Sequence, residues 1–335
     1  MRIGIASRSA VDALQRALAS RPLHHIAWVA RDGAHAIAMC AKDTPDLILM
    51  DLAMPGIDGV AATRKIMAET PCAILIVTPS VDGNTAAVFD AMGHGAIDAV
   101  DTPVMGSADL AVAIAPFLQK IDTLAKLVGT RRFTPAAGQY GDTWVIGKRE
   151  RLVVMGASAG GPVALARVLC ALPKTFPAAV VIVQHVDERF APGMAEWLSR
   201  SSALPVRVAK EGDRPSVGTA LLAGTNDHLV FKTPERLGYT AEPREQPYRP
   251  SVDVFFESVG ALWAGDTVGV LLTGMGRDGA KGLKTLRNKG CYTIAQDEST
   301  SAVYGMPKAA ATLGAAVDIL PLERIGLRLI DTFSH

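Results

Sequence analysis

The sequence predicts an α/β protein of two doubly wound domains. Two observations carry this: short aliphatic runs alternate with helical patterns through residues 1–125, and the alternation resumes at "RLVVMG" after a stretch without period. A third is length, since 335 residues are long for one core and suit two.

In the first domain the expected strands are 2–6, 25–29, 46–50, 73–77 and 96–100. Segments such as "AVDALQRALAS" and "AAVFDAMGHG" between them place apolar residues three and four apart. Parallel βαβ units follow, five in all. A helix continues through "ADLAVAIAPFLQKIDTLAKLVG". The run that follows mixes Pro, Gly, Thr and charges, so residues 126–149 read as a linker. In residues 150–335 strands are expected at "RLVVMG", "AAVVIVQH", "RVAK", "ALLAG", "LVFKT", "TVGVLLTG", "YTIAQD" and "AAVDIL", forming a mostly parallel sheet with a hairpin near 218–240. Five helices are expected, at "GPVALARVLCALP", "PGMAEWLSRSSA", "SVDVFFESVGALWA", "GAKGLKTLRNKG" and "GMPKAAATLG".

Net charge is +1, which offers no electrostatic argument for nucleic acid or an anionic membrane as partner. Cys40, Cys72, Cys170 and Cys291 form no CxxC pair and read as reduced thiols, with no metal site. No apolar run reaches the length of a membrane span, and the apolar core of the N-terminal "MRIGIASRSA" is too short for a signal peptide, so the chain reads as cytoplasmic.

"VVMGASAGGP" is strand, tight turn, helix. Gly156, Ser158 and Gly160 fit the spacing that exposes a nucleophilic hydroxyl. The helix start that follows favours an oxyanion or a phosphate equally, so the turn alone leaves a nucleotide-binding reading open. A serine nucleophile needs a base and an orienting acid. His185 ends the next strand, and Asp278 lies in the glycine-rich loop "GMGRDGAKG" after a later one. Parallel strands bring all three to one sheet edge. Their order differs from that of α/β-hydrolases, although the chemistry tolerates other scaffolds. A non-catalytic signalling scaffold is the other alternative.

In the first domain "DLILMDLAMPGIDG" puts Asp51 at a strand end, and Thr78 ends the next long strand. The stretch resembles the response-regulator receiver domain. The resemblance implies that Asp51 is the phosphoacceptor and Thr78 the residue that senses it. Two departures stand out. Ser7 and Arg8 occupy the place of the acidic pair that holds Mg²⁺, and Thr102 precedes Pro103 where the family has lysine. A Mg²⁺ site is hard to assemble from Asp51 alone. Either Asp51 is still phosphorylated, or Arg8 pairs with Asp51 and the domain is a fixed docking module.

"GASAGGP", "VIVQH" and "LLTGMGRDGAKG" together resemble the catalytic domain of CheB-type protein-glutamate methylesterases, as do "RPSVDVFFESV" and "YTIAQDESTSAVYGMPKAA". The resemblance implies Ser158 as nucleophile, His185 as base and Asp278 as its orienting acid. Backbone N–H groups of Met275 and Ala159 would serve the oxyanion. It also implies cofactor-free hydrolysis of glutamate methyl esters on the signalling region of chemoreceptors, some deamidation of glutamines, and a chemotaxis-type histidine kinase as phosphodonor.

Overall fold

The computed structural model describes residues 1–103, 110–128 and 150–333. They fall into two compact units that divide between Val128 and Glu150.

The first unit is a five-stranded parallel sheet. Its strands are β1 (Arg2–Ala6), β2 (His25–Ala30), β3 (Leu47–Asp51), β4 (Ala73–Thr78) and β5 (Asp98–Asp101), in the order β2-β1-β3-β4-β5. Helices α1 (Val11–Ala19), α2 (Gly33–Lys42), α3 (Gly59–Glu69), α4 (Thr85–Gly93) and α5 (Leu110–Val128) connect and follow them. "LILMD" and "AILIVT" are buried throughout, as strands covered on both faces must be. Asp32 and Asp58 cap α2 and α3 by accepting from the N–H groups of His35 and Ala61. β5 begins two residues later than expected because the Ala96 N–H closes the end of α4 on Ala91 O. α5 runs three residues into the expected linker; the rest of that linker lies outside the described residues.

The second unit contains β6 (Arg151–Ala157), α6 (Gly161–Ala171), β7 (Ala179–Gln184), α7 (Ala191–Arg200), β8 (Val206–Val208), β9 (Ala220–Leu222), β10 (His228–Thr233), β11 (Arg236–Thr240), α8 (Val252–Leu262), β12 (Asp266–Leu271), α9 (Ala280–Asn288), β13 (Tyr292–Gln296), α10 (Met306–Thr312), β14 (Asp318–Leu320) and α11 (Leu322–Phe333). Seven strands form one parallel sheet in the order β14-β13-β12-β6-β7-β9-β8, while β10 and β11 pair as an antiparallel hairpin. The expected hairpin is therefore real only over 228–240, and Ala220–Leu222 joins the main sheet between β7 and β8. α11 is additional to the five expected helices. Its Leu322, Ile325, Leu329 and Phe333 recur at helical spacing and are buried. Gly326 lets α11 lie close on α6: a Cβ there would be 2.6 Å from Ala171 Cβ.

The chain runs outward from β6 to β7 on one side and returns to β12 on the other. The carboxyl ends of β6, β7 and β12 therefore surround the point where strand order reverses, the usual ligand crevice of such sheets. No helix among the described residues is long and apolar enough to cross a membrane.

Candidate active site

Ala157 of β6 pairs in register with Gln184 of β7. Ser158 and His185 are the next residues on adjacent strands, and the His185 N–H still donates to Ala157 O at 3.1 Å. On the other side of β6 the Ser158 N–H donates to Thr273 O at 3.0 Å, extending the ladder with β12. Beyond Thr273, Gly274 passes so close that a Cβ there would sit 2.8 Å from Ser158 Cβ. The loop carrying Met275 and Asp278 is thereby brought against the Ser158 turn.

His185 Nε2 lies 2.7 Å from Asp278 Oδ2. Its Nδ1 is sealed from solvent with no hydrogen-bond partner. An ionised carboxylate can only accept, so the neutral ring carries its proton on Nε2 and leaves the Nδ1 lone pair free. The Ser158 hydroxyl makes no hydrogen bond among the described residues. Contacts of this kind often close only when substrate binds. The arrangement can take a proton at Nδ1 and stabilise the resulting imidazolium through Asp278.

Asp278 is 5% exposed, a costly place for a charge. Burial works to raise its pKa, but the His185 bond and charge, the Val252 N–H and the Ser251 hydroxyl outweigh it and hold the carboxyl below its usual range. Val252 N–H donates to Oδ2 at 2.6 Å and Asp253 N–H to Oδ1 at 3.1 Å, so the carboxylate sits on the positive end of α8. The Ser251 hydroxyl donates to Oδ1 at 2.8 Å while its oxygen caps α8 by accepting from Val254 N–H. Burial pushes the neighbouring Asp253 up to about 6, with the Gly282 N–H lowering it and the charge of Asp278 raising it. Below that pH, Asp253 is protonated and no second negative charge stands beside Asp278.

Several contributors have no signature in the sequence. Gln184 donates its Nε2 to Ser158 O at 2.8 Å and to His185 O at 3.2 Å, tying both turns together. His228 is fully buried and its Nδ1 accepts from Ser251 N–H at 3.1 Å. Its Nε2 therefore carries the proton and donates to Pro243 O at 3.2 Å. Tyr248 stacks on His185 with ring centroids 4.5 Å apart. Thr273 accepts from Val303 N–H and donates to Ala159 O. Among the described residues the N–H groups of Ala159 and Met275 donate to nothing, as donors reserved for a bound group would. The glycines of the turn are not an open cradle: a Cβ on Gly161 would overlap Gln184 Oε1, and one on Gly160 would meet Ala302 Cβ at 2.5 Å.

The family model described as CheB methylesterase matches residues 153–329, and that of the response regulator receiver domain matches 7–115. A Pseudomonas putida protein named protein-glutamate methylesterase/protein-glutamine glutaminase of group 3 operon is 57% identical over 325 residues. That alignment covers 97% of this chain and 96% of its relative. The chain belongs to the CheB methylesterase family. A second such relative, protein-glutamate methylesterase/protein-glutamine glutaminase 2 of Cupriavidus metallidurans, is 59% identical over 337 residues, 99% of this chain and 98% of that one. The crystal structure of the Thermotoga maritima CheB methylesterase catalytic domain is similar with a TM-score of 0.53 at 34% identity. It covers 54% of this chain and 98% of that domain.

CheB proteins of this kind carry a receiver, and here its expected acidic pair is replaced by something other than an Arg8–Asp51 ion pair. Asp51 Oδ2 accepts from the Ser7 hydroxyl at 2.7 Å, and Oδ1 accepts from Ala53 N–H at 3.1 Å. Ser7 is itself fully buried and accepts from Ala10 N–H. Arg8 is exposed and makes no ion pair among the described residues. Arg8 lies beyond the end of β1, in a bend, with its side chain in solvent. Thr78 Oγ1 accepts from Asn84 Nδ2 at 3.0 Å, and Thr102 meets Thr78 only through its backbone N–H, at 2.8 Å. The side chains here differ from the carboxylate set that the receiver resemblance assigns to Mg²⁺: the group bonded to Asp51 is the neutral Ser7 hydroxyl.

Proposed function

We propose that the chain hydrolyses glutamate γ-methyl esters on the cytoplasmic signalling region of methylated chemoreceptors, by a serine acyl-enzyme route. The observation that carries this is the imidazole of His185, held at Nε2 by Asp278 at 2.7 Å with Nδ1 free, one step in register from Ser158. Ser158 Oγ attacks the ester carbonyl carbon and its proton passes to His185 Nδ1. The N–H groups of Met275 and Ala159 receive the oxyanion. The imidazolium returns the proton to the methoxy oxygen and methanol leaves. Water then attacks the acyl-enzyme, giving a proton to Nδ1 and, through it, back to Ser158. Glutamate is released. The relatives' names add glutamine deamidation, which the same route performs with ammonia as leaving group.

Methanol release from methylated chemoreceptor membranes tests the reading. A fluorophosphonate should label Ser158 in the native protein and fail to label His185→Ala. Labelling that persists without His185, or membranes that yield no methanol, would exclude this mechanism.

The receiver match supports a role in a two-component pathway, with a chemotaxis-type histidine kinase as the phosphodonor partner and the cytoplasm as the site of action. Asp51 holds the phosphoacceptor position. With the neutral Ser7 hydroxyl bonded to it in place of a carboxylate, the domain acts as a docking module that does not depend on Asp51 phosphorylation. Incubation with Mg²⁺ and acetyl phosphate should leave the native chain unmodified, while a Ser7→Asp/Arg8→Asp double variant gains an Asp51-dependent phosphoprotein. A stable phosphoprotein from the native chain would show the module to be a working receiver.

A further inference from the structure

We propose that Tyr248 is a positioning residue for the ester hydrolysis, holding the His185 ring face to face and favouring its charged form. The proposal rests on His185 serving as the base. The two rings lie 4.5 Å apart at an interplanar angle of 6°. One edge of the imidazole is fixed on Asp278, which stops translation but leaves the ring free to swing about that bond. A stacked ring on its face limits this freedom and steadies the imidazole edge that carries the unpartnered Nδ1.

The stack also bears on charge. An imidazolium over an aromatic face is attracted by the ring quadrupole, whereas a neutral imidazole gains less. The interaction therefore grows as His185 takes the proton of Ser158, which is what distinguishes catalysis from mere packing. Asp278 at the ring edge and Tyr248 on its face are the titratable side chains that bond to or stack on His185 among the described residues.

Local sequence ties this stack to the acid. Tyr248 lies three residues before Ser251 and four before Val252, both of which donate to Asp278. One short segment thus delivers the ring that steadies the base and the donors that steady its partner. The Tyr248 hydroxyl reaches the loop opposite, where a Cβ on Gly276 would be 2.8 Å from it. Gly276 follows Met275 and has a φ of +79°, so the tyrosine also closes over the part of the loop where a side chain would obstruct it.

The test is the pH profile of kcat/KM for methanol release, measured on the full chain as native protein, Tyr248→Phe and Tyr248→Leu. Leucine keeps an apolar cover over the imidazole but removes the π face, so desolvation stays comparable. Tyr248→Phe should retain the native acid limb. Tyr248→Leu should move that limb about half a unit to lower pH and reduce kcat about three- to tenfold, with KM within about twofold of native. An active native enzyme whose Tyr248→Leu variant keeps the acid limb in place, or changes only KM, overturns the proposal. A native protein without esterase activity would instead remove the reading on which it rests. Rescue by phenylalanine separates the stack from a hydroxyl effect.

Discussion

Ser158→Ala should lower kcat for methanol release by about 10⁶-fold, as loss of a nucleophile does in serine hydrolases, and leave folding stability within about 0.5 kcal/mol of native. The two halves of this expectation have separate origins. The Ser158 hydroxyl bonds to nothing among the described residues, so its removal leaves no buried partner unsatisfied. The structural work at this position belongs to the backbone. The N–H donates to Thr273 O, and the carbonyl accepts from Gly161 N–H at 2.7 Å and Gln184 Nε2 at 2.8 Å. Alanine keeps all of these. Methanol release together with a melting curve reads both effects. A variant that retains more than about one part in a hundred of native activity would show that the attacking group lies elsewhere.

The difference between hydroxyl and backbone also marks how far the sequence can be read. Strand ends are legible, because "RLVVMGA", "AVVIVQ" and "DTVGVL" are short, mostly apolar runs buried almost throughout, as strands covered on both faces of a parallel sheet are. Parallel order then places whatever follows each strand at one edge, which is why Ser158, His185 and Asp278 group together without coordinates. Which imidazole nitrogen meets Asp278 is not legible, since it depends on how a loop more than ninety residues away folds back onto β7. The same holds for His228 and Ser251. Their partnership joins a hairpin strand to a helix start 23 residues on, and neither position has a local signature for it. α11 does have one that the expected elements omit: Leu322, Ile325, Leu329 and Phe333 have the period of a helix. In the receiver, the attraction of opposite charges points to Arg8 as the partner of Asp51, whereas the group that bonds it is the neutral Ser7 hydroxyl just past the end of β1.

Asp278→Asn should reduce kcat by about 10⁴-fold, a magnitude known from the same change in other triads, and unlike Ser158→Ala it should also cost about 1–3 kcal/mol of stability. Every group facing this carboxylate is a donor. Oδ1 accepts from the Ser251 hydroxyl and Asp253 N–H; Oδ2 accepts from Val252 N–H and His185 Nε2–H. An asparagine supplies one acceptor oxygen and one NH₂, so one pair of donors must face another donor. With the NH₂ at the Oδ2 position, Val252 N–H loses its acceptor. His185 must then present a bare Nε2, which moves its proton to Nδ1 and removes the lone pair that Ser158 needs. With the amide turned the other way, His185 keeps its tautomer, but Ser251 and Asp253 are left facing the NH₂ and the imidazolium has no carboxylate to stabilise it. Either orientation slows the reaction and either one loosens the start of α8. The pH dependence follows the same carboxylate. Asp278 in the folded protein titrates below its ordinary value of 3.8, so its contribution to stability is complete above that value and is lost as the pH falls through the lower, folded one. The asparagine of the variant does not titrate. Native and variant melting temperatures should therefore be furthest apart at neutral pH and approach each other in acid. A difference that stays constant from neutral pH into acid would mean that Asp278 carries no ionised charge at neutral pH.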